Sequence, residues 1–432
     1  MISKGEVVVK LHKSCCEAVA ALLFVASAAV GVRASTSLPL QTRSATTASA
    51  DVETLVSGNS AFAVDLYRRL GEKEGNLFFS PHSISTALAM AYAGARENTE
   101  KEMAATLHFS LEQDKLHPAF GRLQTQLKKI QQGGDIDLYV ANSLWPQRDH
   151  PFLQEYLQLL RRSYGVSITV VDYQTAPARE ASRQKINAWV KQATRGKITD
   201  LVAPQYLTEL TRLVLTNAIY FKGKWLHQFR PLNTKPAPFH ISAIQTVQVP
   251  MMEQTDSFRY AETESAQILG LPYRGKEISM LVLLPRKVDG LGQIEQRLFV
   301  GDFNEWRSRL KGKTVNVFLP KFETTFMVAL KPALRILGMV EAFQWPGANF
   351  AGFDGDPKWF FIEEVLHKAY VKVDEEGTIA AAATAVVGGY GGVPAPPPVF
   401  RADHPFLFLI QENSTGSILF MGRVADPTQV GQ

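Results

Sequence analysis

The sequence predicts an α+β fold in a single large domain that spans residues 51–427. Helical and strand-like runs alternate irregularly along the chain, whereas a parallel α/β sheet needs regular strand–helix–strand units. Between Asp51 and the Gly/Pro-rich stretch 388–398 the sequence contains no low-complexity linker and no internal repeat. Its 46% hydrophobic and 20% charged residues are ordinary for a globular protein. We therefore expect one domain, although a length of 432 residues alone suggests more.

Three helices are predicted near the start of this domain. Apolar residues at helical spacing predict the first helix over 52–70. Ser80 and Pro81 predict the start of a second helix, which extends to Gly94, because serine is a good N-cap and proline suits the first helical turn. Thr99 followed by Glu102 has capping-box spacing and predicts the start of a third helix.

Eight strand-like runs follow these helices. Two of them, 213–221 and 280–284, are nearly continuous apolar runs, as expected for strands that are buried on both faces. The predicted strands are Ile136–Leu144, Ser167–Val171, Thr211–Phe221, Ile278–Leu284, Thr314–Leu319, Ala369–Val373, Phe406–Ile410 and Ser417–Phe420.

The first 34 residues predict a cleavable secretory signal. Lysines precede a short apolar run, Ala18–Val32, and the small residue Ala34 suits a cleavage site. The run is shorter than the roughly 20 residues of a membrane span, and the Ser/Thr-rich stretch 35–50 also suits an organelle transit peptide. We expect cleavage after Ala34 and secretion to the extracellular space, or to the periplasm of a bacterial host. Residues 35–50 are then a flexible leader and residues 428–432 a short tail.

Charge and cysteine content exclude several functions. Removal of residues 1–34 takes four basic and two acidic side chains from a net charge of +5, which leaves +3. This balance is too even for a protein that binds nucleic acid through a basic surface. Both cysteines, Cys15 and Cys16, lie in the predicted signal. The exported chain would therefore have no disulfide, no thiol nucleophile and no cysteine-based zinc site.

The sequence contains no recognisable catalytic or cofactor motif. The run 195–199 lacks the glycine and the hydroxyl that a phosphate-binding loop requires, and neither a zinc-protease helix nor a nucleophile elbow occurs. Ser80 with His82, and Asp403 with His404, are better explained as a helix cap and a strand start than as parts of a hydrolytic triad. We expect no enzyme activity, no cofactor and no metal.

One basic cluster is a candidate binding site for a polyanionic partner. Lys128 and Lys129 lie with Arg122 and Lys115 on a predicted helix. A polyanion such as a glycosaminoglycan can dock on such a face, but a solvated helix face is the favoured interpretation. We expect no nucleic-acid partner, no membrane partner and a monomer.

The stretch 371–400 is the most unusual part of the chain. It begins as a strand, and Gly377 then offers a hinge. After Ile379, residues up to Val387 have only small or β-branched side chains, and the Gly/Pro-rich end must be exposed. Helix and strand propensities conflict here, so the segment can lie in solvent in one state and enter a sheet in another. Composition alone favours a mobile surface loop.

Seven passages, in order along the chain, resemble the serpin family. They are Asn76–Ser85, Gly196–Val202, Thr216–Trp225, Leu319–Phe322, Leu366–Ala369, Asp374–Thr378 and Ala402–Phe406. The resemblance spans almost the whole of the predicted domain. It implies one α+β domain with three β-sheets, about eight or nine helices and an exposed reactive loop over 375–398.

The resemblance implies a suicide inhibitor of serine endopeptidases. In this family the protease attacks the reactive loop and forms an acyl-enzyme. The loop then inserts into the largest sheet as a new central strand and carries the covalently bound enzyme with it, so that insertion must outrun deacylation. The loop contains no Arg or Lys, which favours chymotrypsin-, elastase- or subtilisin-like targets over trypsin-like ones.

The hinge of the loop must enter a crowded sheet, so its core-facing side chains must be small. The resemblance assigns the hinge to Glu375, Glu376, Gly377, Thr378, Ala380, Ala381, Ala382, Ala383 and Thr384. Thr378, Ala380, Ala382 and Thr384 are expected to face the core, and all four are small. Ile379, where the family often has Glu, is expected to face outward with little loss. The hinge therefore predicts inhibitory competence.

Two further groups of residues match functional positions of the family. Lys321 and Glu375 match an ion pair that bridges the top of the insertion site (the breach), with Trp225 packed beneath it. Ser80, Ser83, Asn217 and His367 match a polar cluster where the central strands part (the shutter). A surface salt bridge, an ordinary core aromatic and satisfied buried polar groups would explain the same residues without a functional role.

The scissile bond has two candidate positions. Family spacing counted from Glu375 gives Gly391–Gly392, and a count one residue shorter gives Tyr390–Gly391. A count back from His404 and Pro405 ends nearer Pro394, so the loop is longer than in common relatives. Tyr390 is favoured, because glycine is a poor anchor for most specificity pockets and tyrosine suits a chymotrypsin- or subtilisin-like one.

Two other functions are compatible with the sequence. A non-inhibitory serpin would act as a carrier or a chaperone, and loop cleavage would then not raise its thermal stability. A hydrolase that uses Ser80 is a more distant alternative.

Overall fold

The computed structural model describes residues 40–149, 151–166, 168–376 and 395–429. The chain divides into two compact units, Met1–Ser44 and Ala45–Gln432, and the elements below belong to the second unit apart from the first residues of α1. The described residues form the helices α1 (Leu40–Leu70), α2 (Pro81–Tyr92), α3 (Glu97–Thr106), α4 (Gln113–Gln132), α5 (Gln154–Tyr164), α6 (Ala176–Ala193), α7 (Leu291–Gln296), α8 (Val300–Arg309), α9 (Lys331–Ile336) and α10 (Ala351–Asp354).

Strands in the described residues build two hydrogen-bonded sheets. The strands are β1 (Leu77–Phe79), β2 (Ile136–Pro146), β3 (Leu213–Gly223), β4 (Lys235–His240), β5 (Thr246–Glu262), β6 (Ala266–Pro272), β7 (Ile278–Pro285), β8 (Lys311–Pro320), β9 (Phe322–Ala329), β10 (Glu364–Val373), β11 (Val399–Arg401), β12 (Phe406–Glu412) and β13 (Ile418–Val424). One sheet has the order β1-β13-β12-β7-β6-β5-β8-β11, with β4 paired to β5, and the other has the order β2-β3-β10-β9.

The long strand β5 explains why two sheets are observed where three are expected. Its first residues pair with β4, its last residues pair with β6, and β8 runs beside it from Met251 to Tyr260. β5 is one uninterrupted strand that pairs with β4, β6 and β8. Strands that are expected to form two separate sheets therefore join through β5 into a single nine-stranded sheet. The described residues contain ten α-helices, including the single-turn α10, which is close to the expected eight or nine.

The four-stranded sheet contains one parallel pair. β2 pairs with β3 and β9 pairs with β10 in antiparallel directions, whereas β3 and β10 run parallel. The parallel pairing runs from Val214 opposite Glu364 to Phe221 opposite Val371. We call this β3–β10 boundary the seam.

Helices cover both faces of the four-stranded sheet. Leu215 of β3 belongs to the same apolar cluster as Ile84 of α2, whereas its neighbour Val214 clusters with Val190 of α6. Successive side chains of a strand point to opposite faces. α2 therefore packs on one face of the sheet and α6 on the other, and the seam lies between them.

Most predicted elements are confirmed, and the buried runs are confirmed most closely. β3 and β7 are almost entirely buried, as their apolar sequences predict. Seven of the eight predicted strands coincide with observed strands. The exception is Ser167–Val171, because its described part forms no strand and only an isolated bridge joins Val171 to Gln147.

The starts of the first and third predicted helices, α1 and α3, differ from the prediction. α1 begins at Leu40, whereas the predicted first helix begins at residue 52, so α1 includes residues 40–50 of the predicted leader. Ser and Thr lie within about 0.7 kcal/mol of Ala in helix propensity, so a helix that the packed residues after 50 nucleate extends into this stretch at little cost.

The predicted capping box at Thr99 is also wrong. α3 begins at Glu97, and Thr99 lies inside the helix, where its hydroxyl donates to Glu341 Oε2 at 2.8 Å. The Glu102 carboxylate accepts hydrogen bonds from the backbone N–H groups of Val340 and Glu341. Tertiary contacts have therefore taken both side chains away from helix capping.

Candidate functional site at the seam of the four-stranded sheet

The two ends of the unusual segment are anchored in different sheets. β10 ends at Val373 in the four-stranded sheet, beside the seam. The described chain resumes at Ala395 and enters β11, which pairs with β8 at the edge of the nine-stranded sheet. The intervening hinge residues Gly377, Thr378, Ala380, Ala381, Ala382, Ala383 and Thr384 and the predicted scissile residues Tyr390, Gly391 and Gly392 lie outside the described residues.

A row of polar side chains crosses the four-stranded sheet at the seam. Asn142 of β2, Asn217 of β3 and His367 of β10 lie directly opposite one another in the strand register. All three are buried. Asn217 Nδ2 donates to Asn142 Oδ1 at 2.5 Å, and the His367 imidazole Nδ1 hydrogen-bonds to Asn217 Oδ1. The row therefore joins three strands and spans the seam.

The hydrogen-bond partners of His367 fix its protonation state. The backbone N–H of Ser80 donates to Nε2 at 3.2 Å, so Nε2 carries no proton and Nδ1 is the donor to Asn217. Burial lowers the pKa of His367 to about 3. The imidazole is neutral at physiological pH, and protonation of Nε2 would break the contact with Ser80.

The start of α2 supplies the rest of this cluster. Ser80 caps α2 by accepting from the backbone N–H of Ser83, as predicted, and its hydroxyl donates to the carbonyl of Leu419 at 2.6 Å. Ser83 Oγ accepts from Asn217 Nδ2 at 2.6 Å and donates to Asn142 Oδ1 at 3.0 Å. The structure thus brings the four predicted shutter residues together with Asn142.

Asn142 is a member of the cluster that sequence reasoning missed. Asn142 lies in the predicted strand Ile136–Leu144 and is buried. An amide side chain among mostly apolar residues was the signal in the sequence that could have identified it. The Asn142 side chain also donates to the backbone carbonyl of Ser83 at 3.2 Å. Its position opposite Asn217 depends on the β2–β3 register, which no local pattern in the sequence reports.

An ion pair holds the start of the unusual segment, just after β10. Lys321 Nζ lies 2.6 Å from Glu375 Oε2, and the Thr234 hydroxyl donates to the other carboxylate oxygen at 2.7 Å. Burial raises the pKa of the Glu375 carboxyl, but the hydrogen bonds from Lys321 and Thr234 outweigh this effect and the net pKa is lowered. Glu375 is therefore ionised, and it holds the first residues after β10 against β9.

Trp225 contacts the same segment after β10. Its indole N–H donates to the carbonyl of Asp374 at 3.0 Å, and its ring stacks on Tyr273 with centroids 4.4 Å apart. The side chain is buried. Lys321 and Trp225 therefore both contact the segment 374–375, which contains Glu375.

The other candidates of the sequence analysis lie elsewhere. Lys128 and Lys129 are exposed on α4, and the nearby Arg122 pairs with Asp51 at 3.2 Å. His404 hydrogen-bonds Asp403 and the carbonyl of Pro285 rather than a serine hydroxyl. Among the helices of the described ranges, none has both the length and the hydropathy to cross a membrane.

Comparisons with known proteins agree on one family. The profile of the family described as Serpin (serine protease inhibitor) matches residues 57–427. The chain is 40% identical over 386 residues to the leukocyte elastase inhibitor of Homo sapiens, which covers 87% of this chain and 100% of the relative. A crystal structure of maspin matches with a TM-score of 0.80, at 29% identity over 88% of this chain and 100% of maspin. Human thyroxine-binding globulin complexed with thyroxine matches with a TM-score of 0.77, at 30% identity over 88% and 100%.

Proposed function

Since this chain belongs to the serpin family of serine protease inhibitors, we propose that it inhibits serine endopeptidases by inserting its cleaved reactive loop into the seam. The protease serine attacks the scissile carbonyl, the peptide bond breaks, and the new amino-terminal end of the second fragment leaves. The enzyme then stays attached as an acyl ester to the loop, which enters the sheet before water can hydrolyse the ester.

The strand directions at the seam are the observation that carries this proposal. The proposed insertion site differs from the expected one, because the seam lies in the four-stranded sheet and the largest sheet of the described residues has nine strands. β3 and β10 are parallel, and the loop leaves directly from the end of β10. A chain that turns back at residues 374–377 runs antiparallel to β10, and therefore also antiparallel to β3. Insertion would convert the one parallel pair into two antiparallel pairs, which have straighter and slightly stronger hydrogen bonds.

The polar cluster supports the same position for insertion. Asn217 and His367 face each other across the seam, and both side chains are buried. When a strand enters between them, the hydrogen bond between these two side chains must break and each must find a new partner. We propose that Ser80, Ser83, Asn217 and His367 act in this way as the shutter.

The breach and the hinge support entry from the end of the seam near Glu375. The Lys321–Glu375 pair and Trp225 hold the first residues after β10. Residues Thr378, Ala380, Ala382 and Thr384 are small enough to enter a packed sheet. A carrier or chaperone has no need of such a hinge, so its composition favours an inhibitor.

We propose chymotrypsin-, elastase- or subtilisin-like enzymes as the targets. The loop lacks the Lys and Arg that a trypsin-like pocket binds. One relative at 40% identity bears the name leukocyte elastase inhibitor. Tyr390 remains the favoured residue on the acyl side of the scissile bond, with Gly391 as the alternative.

Secretion is a separate part of the proposal. The family profile begins at residue 57, so the predicted signal precedes the matched region. Expression of the full chain in a host that recognises such signals should give an exported protein whose first residue is Ser35, as measured by intact-mass spectrometry. Retention of Met1, with all of the protein inside the cell, would contradict this part alone.

The test of inhibition uses the exported protein and three proteases, namely chymotrypsin, elastase and subtilisin. We expect a complex that survives SDS and heat with at least one enzyme, and mass spectrometry of the released peptide should identify the bond after Tyr390. The same enzyme with its catalytic serine changed to alanine should give no such complex, because no acyl ester can form. Cleaved inhibitor beside fully active enzyme in all three reactions would overturn the proposal.

The structural similarity to thyroxine-binding globulin favours a second candidate function, that of a non-inhibitory carrier. A carrier should bind a small apolar ligand, and its Tm should stay unchanged after loop cleavage. Titration with thyroxine, followed by tryptophan fluorescence, would test this candidate directly.

A further inference from the structure

His404 lies in the short connection between β11 and β12, and its side chain is buried. Its ring nitrogen Nδ1 lies 2.9 Å from the carboxylate oxygen Oδ1 of Asp403. The other ring nitrogen, Nε2, lies 2.9 Å from the backbone carbonyl oxygen of Pro285 at the end of β7. Both nitrogens of this imidazole therefore face an oxygen at hydrogen-bond distance.

The chemistry of these two oxygens determines how many protons the site holds. A backbone carbonyl and an ionised carboxylate accept hydrogen bonds and donate none. A neutral imidazole has a single N–H, so it donates to one of the two oxygens and directs a lone pair at the other. An imidazolium donates to both oxygens and also forms an ion pair with Asp403. The geometry at His404 is therefore that of the protonated ring.

His367 shows the opposite arrangement in the same domain. Its Nε2 accepts from the backbone N–H of Ser80 and its Nδ1 donates to Asn217, so the neutral ring satisfies both contacts. Gain of a proton breaks a contact of His367, whereas loss of a proton breaks a contact of His404. The two buried histidines should therefore respond to pH in opposite directions.

Asp403 provides the negative charge that faces His404. The other charged and titratable side chains near these contacts point to different partners or to solvent. They are Arg286 after β7, which pairs with Glu262, exposed Lys287, His240 of β4, which hydrogen-bonds Thr246, and Arg401 of β11, which lies over the ring of Phe318. The proton at His404 is therefore held by the contacts with Asp403 and Pro285.

The connection 402–405 fastens the strand that follows the unusual segment. β11 pairs with β8 over three residues, and the N–H of Ala402 continues this pairing by donating to the carbonyl of Phe318 at 2.9 Å. The carbonyl of Asp403 accepts from the N–H of His240 at 2.7 Å. The contact between His404 and Pro285 adds an attachment to β7. Because β11 is so short, these contacts contribute much of what holds it in place.

We propose that His404 is a pH-dependent clip for the end of β11. The protonated ring donates to Asp403 and Pro285 and fastens the connection 402–405 to the nine-stranded sheet. As the pH rises and the proton leaves, one ring nitrogen directs a lone pair at an oxygen, and this connection loosens. His404 is thus a positioning residue for the far anchor of the unusual segment. The clip does not depend on protease inhibition, since a carrier with the same contacts would have it as well.

Hydrogen exchange of the full chain tests the clip. Exchange of peptides that contain residues 399–404 is followed by mass spectrometry from pH 6 to pH 8.5, with labelling times adjusted for the intrinsic effect of pH on exchange. Asp403→Asn is the diagnostic variant, because its amide can donate to Nδ1 of a neutral ring whose Nε2–H then donates to Pro285. His240→Gln is the matched control, since it removes a neighbouring histidine side chain that bonds Thr246 instead. Urea unfolding at pH 6 verifies that each variant is folded.

We expect the adjusted exchange of 399–404 in the parent to rise about tenfold between pH 6 and pH 8.5, which is the equivalent of one charge-assisted hydrogen bond. His240→Gln should show the same rise, and Asp403→Asn should show little or none. A parent without the rise, or an equal rise in the parent and Asp403→Asn, would overturn the clip.

Nuclear magnetic resonance of the parent gives a second measurement that does not require Asp403→Asn to fold. The chain has nine histidines, so the ring signals of His404 are assigned as those missing from His404→Gln. In a sample labelled with 15N-histidine, both ring nitrogens of His404 should have shifts of protonated nitrogens at pH 6.5. A lone-pair nitrogen at that pH would contradict the clip.

Discussion

His367 and Asn217 face each other across the one parallel strand pair of the four-stranded sheet, and a hydrogen bond joins their side chains. The imidazole is neutral, since its Nε2 accepts from the backbone N–H of Ser80 and its Nδ1 donates to the side-chain oxygen Oδ1 of Asn217. Both side chains are buried, so the groups that they direct at each other depend on this contact for a hydrogen bond. Loss of either side chain would leave a buried polar group of the other without that partner.

Replacement of Asn217 by alanine should destabilise the protein and open the seam. The change leaves His367 and Asn142 with buried polar groups that have lost a partner, and each such loss costs about 1–3 kcal/mol. Urea unfolding should give a lower midpoint, and mild heating should produce polymers, since an open seam accepts a strand from a second copy. Ser85→Ala is the control, because it removes a buried hydroxyl of α2 that bonds Asn59 instead. Equal polymer yields from both variants would contradict the special role of Asn217.

Stability should decline as the pH falls below 6.5. Burial lowers the pKa of His367 to about 3 and those of His82 and His117 to about 4, compared with 6.5 for an unperturbed histidine. The unfolded chain therefore binds more protons than the folded chain between these values, so acid favours unfolding. His367 alone should cost about 2 kcal/mol at pH 5. Urea unfolding from pH 7 to pH 5 should show a smaller decline for His367→Gln than for the parent, and identical declines would rule out this assignment.

Loss of the Glu375 charge should loosen the start of the loop. Glu375→Gln keeps an oxygen for Thr234 but loses the ion pair with Lys321, whose side chain is 34% exposed. Because water partly screens the pair, we expect a loss of only about 1 kcal/mol in unfolding free energy, and a smaller loss at high salt. Proteolysis at the loop should become faster as well. The neighbouring Glu376→Gln removes a 56% exposed carboxylate that lies 3.5 Å from Lys222, and it should change neither quantity. A loss of the same size from both variants would refute the bridging role of Glu375.

Charge in the hinge should matter only at positions that enter the core. Ala382→Arg places a long cation where the inserted strand should face the sheet interior, so that insertion slows and deacylation wins. Ala383→Arg places the same side chain on the expected outer face and should leave inhibition nearly intact. The moles of inhibitor consumed for each mole of enzyme trapped measure the difference. A similar stoichiometry for both variants would show that the alternation, and with it the inserted strand, is wrong.

The sequence predicts the strands with the longest continuous apolar runs best. The apolar runs that became β3 and β7 predict their strands directly. β5 was missed, because exposed residues at 7 of its 17 positions interrupt the apolar pattern. Its continuity through two groups of strands is a property of pairing, and no local pattern in the sequence reports it.

The candidate site divides in the same way. Ser80 was predicted as a helix cap from local chemistry, and the structure confirms the cap. The hydrogen bond between Asn217 and His367 depends on a register between strands that lie 150 residues apart in the sequence. Asn142 was missed for the same reason, since its significance comes from its neighbour on another strand. Family resemblance supplied part of that long-range information for the shutter residues but none of it for Asn142.

Thermal unfolding before and after loop cleavage tests the central claim most directly. The exported protein is nicked between residues 388 and 392, the protease is removed, and Tm is measured by calorimetry for the intact and cleaved forms. Insertion adds roughly ten hydrogen bonds, each worth about 0.5–1.5 kcal/mol, so Tm should rise by roughly 5–20 °C for a domain of this size. A cleaved form that melts at the same temperature as the intact form would contradict insertion at the seam.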